Sequence, residues 1–254
     1  MSTATSTSNP SPNSKVASPE TKSQTAVASA ATDATKSQPA DNSGAVLAAV
    51  HPKAEGLQSL LKELASPDSA RRAAAATALG RLADVAALPA LIVALRDADA
   101  DVAREAALSL GSFSSAAVVE PLIEVLDNRD GYFHSVVRAA ATHSLGQLRD
   151  LRAVVPLLNA INDPIAETSA EAIRALALLP DPRIVPALLE VVRNEHGFFL
   201  GTARRAAILG LAQIGGEQAA CELRFVSTNQ WEHAAIRATA IDAIREVSTS
   251  TAGA

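Results

Sequence analysis

Five of the seven aromatic residues in this 254-residue chain stand in three groups, each a few positions ahead of an arginine. Tyr132 and Phe133 precede Arg138, Phe198 and Phe199 precede Arg204, and Trp231 precedes Arg237. Tyr132 and Phe198 lie 66 residues apart, and Trp231 follows Phe198 by 33. A ring beside a guanidinium can grip the loop of a partner protein. It can also hold a flat acidic ligand, the ring by stacking and the arginine through a bidentate pair. The same groups can equally serve the fold alone, with rings filling turns and arginines bonding carboxylates or carbonyls between turns. Exposure of the rings separates these readings.

Chemistry of other kinds finds fewer parts. A metal centre needs several imidazoles and carboxylates converging at about 2.0–2.2 Å. The chain has Glu195-His196 and Glu232-His233, with His134 at the place equivalent to His233, and no His-Glu dipeptide. Neither a metal nor another cofactor is expected. There is no HExxH, phosphate-cradling glycine loop, GxSxG turn or CxxC. The single cysteine, Cys221, excludes an internal disulfide and is expected as a buried thiol in a helix. Nothing in these motifs commits the chain to catalysis.

The elements that position these residues repeat. Hydrophobic residues make up 48% of the chain but aromatics only 3%, with alanine and leucine prominent, a composition that favours helix over strand. From Leu57 on, helix-ending marks recur: "ALGRL", "SLGSF", "SLGQL", "ALALL", "GLAQI" and "AIREV". Their third residues, Gly80, Gly111, Gly146, Ala177, Ala212 and Arg245, are spaced 31, 35, 31, 35 and 33. Each mark ends an apolar face at helical spacing, such as Val102, Ala106, Leu110 and Phe113. Upstream lies another helix, with Pro89, Pro121, Pro156 or Pro186 in or near its first turn. Ser66 and Asp163 are the expected caps in the turns between paired helices. The unit is a helical hairpin used about six times, and neighbours must stack because one hairpin cannot bury its own face. Repeats three and five share a four-residue insertion, so the larger period is 66; Arg72, Arg138 and Arg204 follow it, with Ala103 and Ser169 between. The fold class is all-α, an α-α superhelix or solenoid of about six hairpins, armadillo-like.

A second row lies along the second helices: Arg104, His143, Arg174 and Arg205, with Gln147 and Gln213 one turn on. On a concave inner face, its arginine excess would suit a partner's acidic surface.

The turn aspartate, the "VR" or "RR" and the "AAxxALGxL" pattern, clearest in "SPDSARRAAAATALGRL" and "VVRAAATHSLGQL", resemble the HEAT repeat, especially the short form named after phycocyanobilin lyase subunits. Ala103, Ser169 and Arg245 depart from the pattern, so repeats two and four should hold by packing alone and repeat six should form a polar cap. The resemblance implies a repeat solenoid over residues 57–248. It is compatible with a non-catalytic protein-binding scaffold using the concave face and inter-helix turns. The alternative it implies is a phycobiliprotein bilin lyase or bilin-handling chaperone, with Arg138 and Arg204 pairing bilin propionates and a phycobiliprotein or a second lyase subunit as partner. A likeness to deoxyhypusine hydroxylase is disfavoured by the missing His-Glu pairs.

Net charge is −5, which gives no attraction to nucleic acid or anionic membrane, and no stretch approaches the roughly 18 apolar residues of a membrane span. A cytoplasmic protein is expected. Residues 1–56 are rich in Ser, Thr, Ala and Pro, without periodic large apolar residues, and are expected to be disordered, as are residues 249–254. Removing residues 1–52 should therefore shift unfolding stability by less than about 0.5 kcal/mol, read as the denaturant midpoint; a larger cooperative loss would mean the tail docks on the body.

Overall fold

The computed structural model describes residues 55–252, so most of the expected tail lies outside the described residues. Among the described residues all regular elements are helical, and they pair as six hairpins. Residues 55–64 form α1, which pairs with α2 (Ser69–Leu82). The next hairpins are α3 (Leu88–Ala94) with α4 (Ala100–Leu110), and α5 (Val119–Asp127) with α6 (Ser135–Leu148). Then come α7 (Val154–Ala160) with α8 (Ala166–Leu176), α9 (Ile184–Arg193) with α10 (Gly201–Ile214), and α11 (Glu217–Thr228) with α12 (Ala234–Ala252). α12 runs past the expected boundary at 248, because extending a formed helix costs far less than starting one. No helix among the described residues is long and apolar enough to cross a membrane.

Local chemistry sets the ends. Asp68 and Asp99 cap α2 and α4, accepting from Ala70 N at 3.0 Å and Asp101 N at 2.9 Å. Ser66, the expected cap, instead accepts from the amide of Asp68 at 3.2 Å. His134 and His233 cap α6 and α12 through Nδ1, taking bonds from Val136 N at 3.4 Å and Ala235 N at 3.3 Å. The period of 66 reaches the backbone itself: α2, α6 and α10 end at Ala83, Arg149 and Gly215, with φ of 50°, 53° and 75°.

The predicted apolar faces are the core. Val102, Ala106, Leu110 and Phe113 are all buried, and Leu79, Leu91, Leu122, Leu145, Leu157 and Leu176 are fully so. Each such leucine contributes about 1.5–3 kcal/mol of burial. Second helices stack in succession, α2 on α4, α4 on α6, α6 on α8, α8 on α10 and α10 on α12. Small residues let them approach closely. A Cβ placed on Gly146 would lie 2.8 Å from the Cα of Ala175 on the next second helix. Two serines add polar stitches at the same seam: Ser109 Oγ donates to Ala76 O at 2.9 Å, and Ser144 Oγ to Ala107 O at 2.8 Å.

Ala103 is buried, but contrary to expectation repeats two and four do not hold by packing alone: Asp97 and Asp163 in their turns pair with Arg72 and Arg138 of the preceding repeats, and Ser169 donates to Ile161 O at 2.6 Å. Arg245 is exposed beside Asp242 at 3.6 Å, in keeping with a polar cap.

Gly146→Ala must push one backbone off another and should lower stability by about 1–3 kcal/mol. Gly56→Ala, at a helical position where a Cβ meets nothing within 4 Å, should raise it by up to about 1 kcal/mol. Paired thermal melts check both.

Candidate functional site

The insertions in repeats three and five are one loop built twice. Asn128 and Asn194 end α5 and α9 in the left-handed region, with φ of 42° and 48°. Each clamps its own loop from both sides. Asn128 Oδ1 accepts from Phe133 N at 2.7 Å and its amide donates to Phe133 O at 3.3 Å; Asn194 does the same with Phe199 at 2.7 and 3.1 Å. Gly131 and Gly197, at φ of 66° and 67°, supply the reversal that carries the chain from asparagine to ring. The clamp sorts each aromatic pair by role. Phe133 is buried and Phe199 half-buried, while Tyr132 and Phe198 meet them edge-on at 5.2 and 5.3 Å. Tyr132 is 53% exposed, Phe198 63% and Trp231 88%. One ring of each pair thus fills its turn, and the other is left exposed. Sequence reasoning missed the asparagines, although Asn-x-x-Gly recurs at 66 residues and could have shown them.

The repeat arginines are committed within the chain. Arg72 bonds Asp97 bidentately at 2.7 and 2.8 Å and also reaches Ser66 O at 3.0 Å. Arg138 pairs with Asp163, and Arg204 with Glu232 at 2.8 and 2.7 Å. Arg204 also donates to Val192 O at the end of α9. In each case an odd repeat grips the turn of the next, even repeat. These side chains are nearly buried, so Arg138 and Arg204 do not stand free for a ligand, contrary to one of the uses expected of them. Arg237 stays within its own turn, donating to Glu232 O at 3.1 Å. The hydrogen bonds from Arg72 and Arg204 hold the carboxyls of Asp97 and Glu232 below their ordinary range. Glu232 is thus spent on Arg204, and its neighbour His233 on a helix cap. Among the described residues no group of three or more His, Cys, Asp or Glu is placed to hold a metal ion.

Beside the second loop, α9 and α11 border an open cleft of about 850 Å³, lined in part by Leu189, Glu190, Phe198, Phe199 and Cys221. Cys221 is exposed there, not buried as expected. The buried residues of α11 are Ala219, Glu222, Leu223 and Val226, and Cys221 falls outside that stripe. Across the cleft, Arg193 is bonded to Glu222 at 3.0 and 2.8 Å.

The expected inner row lies along α4, α6, α8 and α10 and is exposed, but it is not basic. Arg104 pairs with Glu105 at 3.1 Å, Arg174 with Glu171 at 2.8 Å, and His143 faces Glu171 at 3.7 Å. Gln147 bonds His143 at 3.0 Å, while Arg205 and Gln213 are open to solvent. Glu105 and Glu171, absent from the sequence reading, make the row charge-mixed.

Arg204→Ala strands Glu232 and should cost about 3 kcal/mol at neutral pH. Because the folded-state pKa of Glu232 is depressed, the tie is fully present above the ordinary glutamate value of about 4.3 and is lost as pH falls through the lower, folded value. The gap between wild type and Arg204→Ala should narrow over that window. Phe198→Ala, at an exposed ring, should stay within about 1 kcal/mol of wild type at every pH. Melts of the three proteins from pH 7 down to pH 2.5 check this.

A family model described as HEAT repeats matches residues 57–146 and 132–200. No curated protein sequence matches the chain. Among solved structures, the chain is similar to that of the complex of CpcE and CpcF of phycocyanin lyase from Nostoc sp. PCC7120. That match has 22% identity, covers 63% of this chain and 99% of that one, and has a TM-score of 0.51. It is also similar to an engineered protein at 20% identity, with 76% and 98% of the chains covered and a TM-score of 0.50. Human deoxyhypusine hydroxylase in complex with glycerol matches at 20% identity over 77% and 86%, with a TM-score of 0.46. At such identities the shared property is the fold. With the matched repeats spanning more than half its length, the chain belongs to the HEAT-repeat family.

Proposed function

We propose that the chain is a non-catalytic scaffold that binds another protein along the edge formed by its inter-helix turns and over the exposed face of its second helices. One observation carries this reading. Tyr132, Phe198 and Trp231 hold equivalent places in their repeats and are exposed, while the ring beside each of the first two is tucked inward. Large rings left in water beside a clamped loop are costly to the fold and are the usual anchors of a protein interface. Phe225, 63% exposed on α11, extends the patch past Cys221 along the same side of the array. The bilin-handling alternative relies on Arg138 and Arg204 to pair propionates, and both are bonded to carboxylates of the chain, Asp163 and Glu232. The exposed rings therefore favour a protein partner.

The test is capture from the native cell with the full chain as bait, set against the Phe198→Ala, Trp231→Ala double variant. Wild type should retain a partner reproducibly. The variant should melt as wild type does and lose affinity at least 30-fold, the equivalent of about 2 kcal/mol for an aromatic anchor. Capture unaffected by the substitutions, or co-elution of a visible-absorbing pigment as the only retained species, would overturn the reading.

A further inference from the structure

The two inserted loops are copies, and one of them already has an occupant. Arg96, just past the end of α3, holds its guanidinium carbon 5.2 Å from the ring centre of Phe133 and 5.6 Å from that of Tyr132. The same guanidinium pairs with Glu124 on α5. The Tyr132 hydroxyl donates to the carbonyl of Arg96 at 2.9 Å, fixing ring and arginine together. What remains open beside this loop is a cleft of about 340 Å³.

Sixty-six residues later the receiving groups are all present. Glu124 becomes Glu190, Ile123 becomes Leu189, Tyr132 becomes Phe198 and Phe133 becomes Phe199. The occupant is not: Arg96 becomes Asn162, whose side chain ends two bonds from its Cβ. Phe198 lacks the hydroxyl that tethers Tyr132. The cleft here opens to about 850 Å³, with Asn162 at its wall and Glu190, Phe198 and Phe199 lining it. Glu190 makes no ion pair among the described residues. Of the other charged groups in the cleft, Arg193 is bonded to Glu222, while Glu195 and His196 lie at the same rim. Carboxylates outnumber guanidiniums, so the field favours a cation.

We propose that this second cleft receives an arginine side chain of a partner protein, stacked on Phe198 and Phe199 and paired with Glu190, in the place Arg96 fills from within the chain at the first loop. Arginine suits the site better than lysine because its flat, delocalised cation can cover a ring face and bond a carboxylate at once. The proposal rests on the turn edge being a binding edge, but its test needs no partner.

The probe is acetyl-Gly-Arg-Gly-amide, titrated into the full chain and followed by amide chemical shifts, with the citrulline peptide as the neutral isostere. Wild type should show saturable shifts around Asn162, Glu190 and Phe198, with the arginine peptide bound at least five-fold more tightly than the citrulline peptide. Asn162→Arg supplies the plug within the chain and should weaken binding at least ten-fold. Arg96→Asn should do the reverse, adding a second set of shifts around Tyr132 and Glu124. Glu190→Gln, an exposed substitution that spares the fold, should erase the preference for arginine even if Asn162→Arg fails to fold. Equal binding of the two peptides, or Asn162→Arg binding as wild type does, overturns the proposal. Either result with partner capture intact leaves the scaffold reading standing, whereas peptide binding without any captured partner sinks that reading instead.

Discussion

A helical hairpin presents more apolar surface than it can cover, so each second helix has to lie against the next along a seam of small residues. Gly146 against Ala175 shows how tight that contact is, with no room for one added methyl group. Once the seam is fixed, the first helices have little choice of position. They lean chiefly on their own partners, and among themselves the contacts are sparser, as between α5 and α7 and between α9 and α11. That looser outer row is where clefts can open, and the inter-helix turns lie along it. The room for clefts along this row is thus a by-product of packing the second helices closely.

Turns along that edge are held in two ways, which alternate. The short turns at Asp97 and Asp163, and the last turn at Glu232, are gripped by an arginine from the preceding repeat. The preceding repeats of the two inserted loops carry Ala103 and Ser169 at that place, so no arginine reaches forward. Those loops hold themselves, through Asn128 and Asn194. A self-supporting loop needs extra length to close on itself, and the added residues carry the paired rings. The doubled period, the missing arginines and the paired rings go together in these two loops, whereas Trp231 stands in a turn that Arg204 grips.

Much of this was legible from sequence because helix packing writes its period into residue spacing. The six hairpins, the proline positions and the 66-residue duplication all follow from apolar faces and turn residues, and the structure has them. The role of the arginines was legible only as a pair of alternatives. Their carboxylate partners lie 25 or 28 residues on, in another turn, and spacing along the chain does not give distance across it. Cys221 was misplaced because α11 offers more than one apolar stripe, and only the stack selects Ala219, Leu223 and Val226. The inner row lost its basic character because Glu105 and Glu171, which look like ordinary solvated residues, pair with Arg104 and Arg174 on their own helices.

The alternating ties divide the array into three doublets, repeats one and two, three and four, and five and six, each riveted internally by charge. Between doublets the ties differ: the first joint carries the Arg96–Glu124 pair, the Tyr132–Arg96 hydrogen bond and the Ser144 stitch, and at the second the equivalent places are Asn162, Phe198 and Gly210. Both inserted loops stand on a joint: Arg96 and Tyr132 face each other across the first, Asn162 and Phe198 across the second. The first joint is pinned from within by Arg96. The second lacks that pin, and by linkage a molecule that bridged its two sides would hold them together, while a stack already held at that point would bind the molecule more tightly.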